Sequence, residues 1–191
     1  MHTLDSEPTL ESRYLYRGRI LNLRVDTVEL PKGGKTKREI VEHGHSVVVV
    51  PVDKGGTVLL VSQFRKATES YLLEAPAGGV EEGESPEECA LRELKEETGY
   101  TAGTIKHLGS FWIAPGFCTE YMHAYLATDL EPGETDQKAD ENIELARVPL
   151  AEVPQRIRSG ELRDSKSIAA LLMSLFLFPD ASDAIRSEPE A

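Results

Sequence analysis

Two β-branched runs constrain the fold more than any other feature of the chain. SVVVVPV at 46–52 and TVLLVSQF at 57–64 are joined by the turn-forming segment DKGG. Continuous apolar β-formers of this length belong in strands buried on both faces, and the short link makes them a hairpin or neighbouring strands of one buried sheet. A shorter strand is expected at 71–75. KHLGSFWI at 106–113, YMHAYLAT at 121–128 and NIELARVPL from 142 read as further strands, with a polar loop over 129–141. Helices are expected near 150–158 and 165–178. At the amino end, YLYRGRILNLRVDTVEL over 14–30, the turn KGGK and then KREIVEHGH read as a strand pair ahead of the main domain. Strands with helices at the middle and end give an α/β sandwich, which alone names no function.

Bulk properties narrow the class. A chain of 191 residues buries a sizeable core as one domain. Its 33 acids against 21 bases, a net charge of −12, argue against a nucleic-acid partner, because a polyanion needs a basic face. The amino terminus MHTLDSEP lacks the basic and apolar regions of a signal peptide. The longest apolar run, IAALLMSLFLF at 168–178, is too short to span a bilayer and reads as a buried carboxy-terminal helix. Cys89 and Cys118 are too few for a disulfide framework, and the five histidines show no metal-ligand spacing, so free thiols and a cytoplasmic location are expected, with no membrane partner.

From Gly78 to Tyr100 the chain reads GGVEEGESPEECALRELKEETGY. Ser85 is a good N-cap, Pro86 suits the first turn, Glu88 completes a capping box, and Gly99 is placed to end the helix. Within it Glu93, Glu96 and Glu97 stand at i, i+3 and i+4, crowding three carboxylates onto one face. Like charges at that spacing repel by roughly 0.2–0.5 kcal/mol per pair. A divalent cation removes the conflict, and clustered carboxylates suit magnesium or manganese at a phosphate. A solvated acidic helix would account for the three glutamates alone.

The residues around them point further. Gly78, Glu84, Arg92, Glu93, Leu94, Glu96, Glu97 and Gly99 reproduce the Nudix signature GX5EX7REUXEEXGU, where U is a bulky aliphatic residue. The one departure is Tyr100 at the final aliphatic position, a packing site. REIVEHGHSVVVVPV at 38–52, QFR at 63–65, LEAPAGGVEEGE at 73–84 and APGF at 114–117 resemble the ADP-ribose pyrophosphatase branch of that family, and Pro115 stands where a proline marks this branch. The resemblance covers most of residues 14–150. It implies a Nudix-type α/β/α sandwich with a mixed sheet and an N-terminal strand extension: residues 1–45 as a dimerisation segment, 46–179 as the hydrolase domain and 180–191 as a flexible tail.

The resemblance also implies Mg2+-dependent hydrolysis of ADP-ribose to AMP and ribose 5-phosphate, with Mn2+ as a possible substitute. The metal would be held by the backbone carbonyl of Ala77 and by Glu93, Glu96 and Glu97, with Arg92 orienting a box glutamate and Gly78 beside the substrate. Glu84 is either a further helper or a capping residue. Arg65 is the expected cation for a phosphate or the distal ribose, since a guanidinium matches phosphate oxygens bidentately. Arg38 and Glu39 resemble residues that hold the adenine end, within a homodimer whose amino-terminal segments are exchanged. A surface ion pair explains Arg38 nearly as well. Phe111, Trp112 and Phe117 either stack on a base or fill the core. Glu141, in the polar loop TDQKADEN, is the expected general base, and Glu120 holds the distal ribose or a metal. Alternatives are a Nudix activity on another nucleotide sugar, a dinucleotide or FAD; a non-catalytic ADP-ribose-binding regulator, which usually loses box glutamates or adds a DNA-binding domain; and an isomerase on a related scaffold, for which histidine or cysteine ligands would be expected.

Overall fold

The structure is a computed structural model and describes residues 6–133 and 143–177. The chain divides into two compact units, one of residues 1–44 with 112–121, the other of residues 45–111 with 122–191. Among the described residues no helix is long and apolar enough to cross a membrane.

The first unit is built on an antiparallel sheet of β1 (Thr9–Arg17), β2 (Asn22–Glu29) and β3 (Lys35–Glu42), in that order. Three strands stand where a strand pair was expected, because residues 14–30 break at a turn in which the Gly18 N–H donates to the Leu21 carbonyl at 3.0 Å. Gly33 and Gly34, both at positive φ, make the KGGK turn between β2 and β3. The segment 112–121 joins this unit through β3: the Val41 N–H donates to the Phe117 carbonyl at 2.8 Å, and the Thr119 N–H to the Val41 carbonyl at 3.0 Å.

The second unit carries β4 (His45–Pro51), β5 (Thr57–Arg65), β6 (Ser70–Glu74), β7 (Ala77–Gly79), α1 (Pro86–Thr98), most of β8 (Tyr100–Trp112) and β9 (Tyr121–Pro132), then β10 (Ile143–Pro149), α2 (Val153–Ser159) and α3 (Ser165–Leu177). β9 extends past 128, into the stretch expected to be loop; residues 134–142 lie outside the described residues. The two founding runs do meet at a Val52–Val58 bridge, yet they part into different sheets, β7-β4-β9-β8 and β10-β5-β6. The reason is edge occupancy. β4 spends its two edges on β7 and β9, and β5 spends its own on β6 and β10, so neither has an edge left for the other.

Both runs are buried as expected: Val47 through Val50 and Val58 through Leu60 are fully inaccessible. Period-2 alternation sends Val47 and Val49 to one face, where they pack with Tyr125 and Ala127 of β9 against Cys89, Ala90 and Leu94 of α1. α3 also packs against β4. This is the α/β sandwich anticipated from the strand and helix pattern. One expectation is corrected at its end: α3 buries Ala170 and Leu171, but Phe176 and Leu177 are exposed, so the apolar run is not buried on all sides.

Candidate active site

The helix forms where its punctuation predicts. The Glu88 N–H donates to Ser85 Oγ at 3.2 Å, the Ser85 N–H to the Glu88 carboxylate at 2.8 Å, and Gly99 closes the helix at φ 74°, donating to the Lys95 carbonyl. Capped at both ends, α1 is anchored by Leu94, Ala90 and Cys89, and this turns Glu93 and Glu97 inward. Their relative exposures are only 7% and 6%.

β7 runs directly over these two carboxylates. The Ala77 N–H donates to Glu97 Oε2 at 3.2 Å. A Cβ added at Gly78 would lie 1.9 Å from Glu93 Oε1 and 2.1 Å from its carboxyl carbon. Gly78 does not sit in the left-handed backbone region, so it is required here by space and not by φ. β7 is held in register by pairing with β4, Gly78 opposite Val47 and Ala77 opposite Val48.

Arg92 ties the acidic face together. Its Nε and Nη2 donate to the two oxygens of Glu84 at 2.8 and 3.0 Å, its Nη1 donates to Glu93 Oε1 at 2.6 Å and reaches Glu96 Oε2 at 3.5 Å, and Nη2 also reaches the Gly79 carbonyl. The guanidinium thus offsets the repulsion among the glutamates. It is itself held protonated by the Glu84 hydrogen bond despite partial burial. Glu84 is a brace and not the helix cap, a role that falls to Glu88; it accepts Arg92 and also the Glu81 N–H. The Arg92 hydrogen bond pulls its carboxyl down to about 2. Cys89, packed beneath, has its thiol pushed up to about 12 by burial, which makes it inert.

Oxygen donors from Glu93, Glu96 and Glu97, with β7 backbone alongside, are the chemistry a hard divalent cation takes. The buried carboxylates and the space that only glycine leaves fit such an ion. As the side chains stand, Glu93 and Glu96 turn to Arg92 and Glu97 to the Ala77 amide. Among the described residues no group of three metal-ligating side chains converges on one point.

Other anticipated residues fall elsewhere. Arg65, on β5, does not point a free fork outward: Nε and Nη2 donate to both oxygens of the buried Glu74 at 2.8 Å each. In the first unit, Arg38, Glu39, Arg24, Pro115, Phe117 and Thr119 line one cavity of about 310 Å³. Arg38 makes a two-point ion pair with Glu7, at 2.9 and 2.7 Å. Glu120 lies 3.9 Å from His43 Nδ1. Trp112 and Phe117 are more than half exposed and so are not core, while Phe111 is partly buried. Glu141 lies outside the described residues. Spacing in the sequence gave no hint of a histidine array: His45 Nδ1 is 3.0 Å from His123 Nε2, and Ser110 Oγ bridges His123 and His107 at 2.9 Å each. Only the alignment of β4, β9 and β8 brings these together.

The Arg92–Glu84 brace predicts a pH dependence. Glu84 titrates lower in the fold than its ordinary value of 4.5, so the pairing stabilises the protein fully above about pH 4.5 and is lost as pH falls toward 2. The difference in melting temperature between parent and Glu84→Gln should be largest above pH 4.5 and close toward pH 2. A difference that stays constant over that window would contradict the brace.

Comparison with known proteins agrees with this geometry. The NUDIX domain family matches residues 42–171, and the nucleoside diphosphate sugar hydrolase N-terminal domain matches residues 3–41. An ADP-ribose pyrophosphatase of Bacillus subtilis (strain 168) is 40% identical over 86% of this chain and 90% of its own length. A methanol dehydrogenase activator of Bacillus methanolicus is 39% identical over 90% of this chain and 94% of its own. A crystal structure of an ADP compounds hydrolase superposes with a TM-score of 0.85 at 24% identity, over 94% of this chain and 98% of that one, which shows the shared fold. A glycine-roofed acidic helix, the family match over residues 42–171 and relatives near 40% identity together establish that the chain belongs to the Nudix family of hydrolases.

Proposed function

We propose that the protein hydrolyses the diphosphate of ADP-ribose to AMP and ribose 5-phosphate, with Mg2+ as cofactor and Mn2+ able to replace it. The observation that carries this reading is the pair of buried carboxylates, Glu93 and Glu97, roofed by the Gly78 backbone in a chain 40% identical to an ADP-ribose pyrophosphatase. The match of the first residues to a nucleoside diphosphate sugar hydrolase N-terminal domain favours, as the second reading, another nucleotide sugar cleaved by the same residues.

In this reading Glu93, Glu96, Glu97 and the Ala77 carbonyl hold the metal. When bound, the ion neutralises phosphoryl oxygens and lowers the pKa of a water. Arg92 bridges Glu84, Glu93 and Glu96 and offsets their mutual repulsion. Gly78 lets β7 pass close over Glu93 and stands beside the substrate, and Arg65 offers Nη1, which takes no part in its pair with Glu74, to a phosphate or the distal ribose. Arg38 and Glu39 receive the adenine end in the cavity they line. That requires Arg38 to exchange Glu7 for the base, at small cost for an exposed ion pair. Glu120 contacts the distal ribose. Glu141 takes the proton from the attacking water, an assignment supported by its place in an acidic loop of the sequence.

A homodimer accompanies this function. All nine residues of β1 are exposed, including Leu10, Leu15 and Tyr16 at 47%, 51% and 59%. A long edge strand with apolar side chains in water is a surface built to be covered. Residues 14–43 are therefore assigned to the subunit exchange, and the free thiols of Cys89 and Cys118 accord with a cytoplasmic enzyme.

Purified protein with Mg2+ should convert ADP-ribose to AMP and ribose 5-phosphate, Glu97→Gln should abolish most of that turnover without unfolding, and Glu141→Gln should lower it about a hundred- to ten-thousandfold. Intact ADP-ribose beside rapid cleavage of another nucleotide sugar would move the substrate to the second reading. Light scattering at micromolar concentration should return twice the 21.1 kDa chain mass; a monomer would remove the exchanged segment.

A further inference from the structure

Arg65 belongs to a larger buried assembly that reaches the far end of the chain. Its partner Glu74 is 1% exposed, and Lys166 Nζ donates to the same Oε2 that accepts Arg65 Nη2. Lys166 is also hydrogen-bonded to Asp164 Oδ2 at 2.9 Å, and Asp164 in turn accepts the Ser167 N–H at 3.0 Å and the Ser167 hydroxyl. Ser167 Oγ, fully buried, accepts the Ala75 N–H at 2.7 Å. The entry to α3 therefore grips two successive residues of the strand end, Glu74 by its side chain and Ala75 by its backbone, across 92 positions of sequence. Two residues further on lies Ala77, whose amide meets Glu97, and the intervening Pro76 carbonyl accepts the Val49 N–H at 2.8 Å.

We propose that Lys166, with Asp164 and Ser167, is a positioning element of the hydrolytic site: it shares the charge of Glu74 so that Arg65 remains available to an anionic substrate, and it fixes the strand end that leads into β7. The inference rests on the assignment of Arg65 to the substrate's diphosphate or distal ribose made above.

The charge argument decides the role. A buried carboxylate with one bidentate guanidinium is already neutralised and hydrogen-bonded on both oxygens. Asp164 adds a second carboxylate to the cluster, and Lys166 balances it, so two anions face two cations. With Lys166 in place Arg65, which is 39% exposed, does not bear the charge of both carboxylates. Burial pushes the Glu74 carboxyl up, but the Arg65 hydrogen bond and Lys166 outweigh it and keep the group ionised, so the shared anion persists at neutral pH. Removing Lys166 leaves Arg65 as the sole counter-ion to Glu74 and Asp164 and draws its field inward. Removing the Glu74 charge as well leaves one anion, Asp164, to one cation and restores the balance of the parent.

Calorimetric titration of metal-free full-length protein with ADP-ribose tests this without relying on turnover. Lys166→Met should weaken binding by about ten- to a hundredfold, the range for one weakened charge-assisted hydrogen bond, and Lys166→Arg should restore it. In the hydrolysis assay the loss should appear in KM while kcat is retained. The double variant Glu74→Gln/Lys166→Met decides between positioning and mere support, and it also serves if Lys166→Met does not fold. Recovery of affinity toward the parent supports charge sharing, whereas affinity as weak as or weaker than that of the single variant overturns it. Parent-like binding by Lys166→Met also overturns it. A parent that binds no ADP-ribose refutes the functional reading itself, an outcome distinct from these.

Discussion

The close approach of β7 to α1 is the constraint on which the rest of the site depends. Two carboxylates with exposures below a tenth lie under a strand that can pass only because residue 78 has no side chain. Buried carboxylates are costly unless they are paired and hydrogen-bonded. Here Arg92 supplies the charge, the Ala77 amide supplies a donor, and Glu84 holds Arg92 in place. Every element around the site serves that packing. β4 sets the register of β7, Leu94 and Cys89 seat the helix, and the caps at Ser85 and Gly99 fix its ends.

The charges of the acidic face are met from within the chain. Glu97 accepts a backbone amide, and one guanidinium reaches both Glu93 and Glu96. A dication outcompetes such partners electrostatically and offers hydrogen-bonding room through its remaining waters. A balanced cluster also surrounds Arg65, where the carboxylates of Glu74 and Asp164 face the two cations Arg65 and Lys166. In both places charged groups that the proposed function assigns to an external ligand are held by internal partners.

Local signals made much of this readable in the sequence. Helix α1 was legible to the residue because capping is a matter of near neighbours, and the glutamate spacing put three carboxylates on one face without any tertiary information. What could not be read depended on distant contacts or on strand edges. The parting of SVVVVPV from TVLLVSQF follows from which strands occupy their edges, a property of the whole topology. The break at Gly18 hid a third amino-terminal strand within an unbroken mixture of β-formers. The sequence leaves Trp112 and Phe117 open between base stacking and core, and both sit in the 112–121 segment, more than half exposed. Lys166 reads as an ordinary polar residue at a helix start, and the histidines on three neighbouring strands share no sequence spacing.

The central claim is that the carboxylate face of α1 beneath Gly78 is a divalent-cation site. Anomalous diffraction from crystals soaked in Mn2+ tests it directly. The account predicts manganese within about 2.0–2.2 Å, the distance hard cations of this size demand, of carboxylate oxygens from Glu93 and Glu97, with both side chains released from their present hydrogen bonds. Manganese bound only elsewhere, with Glu93 still on Arg92 and Glu97 still on the Ala77 amide, would contradict it.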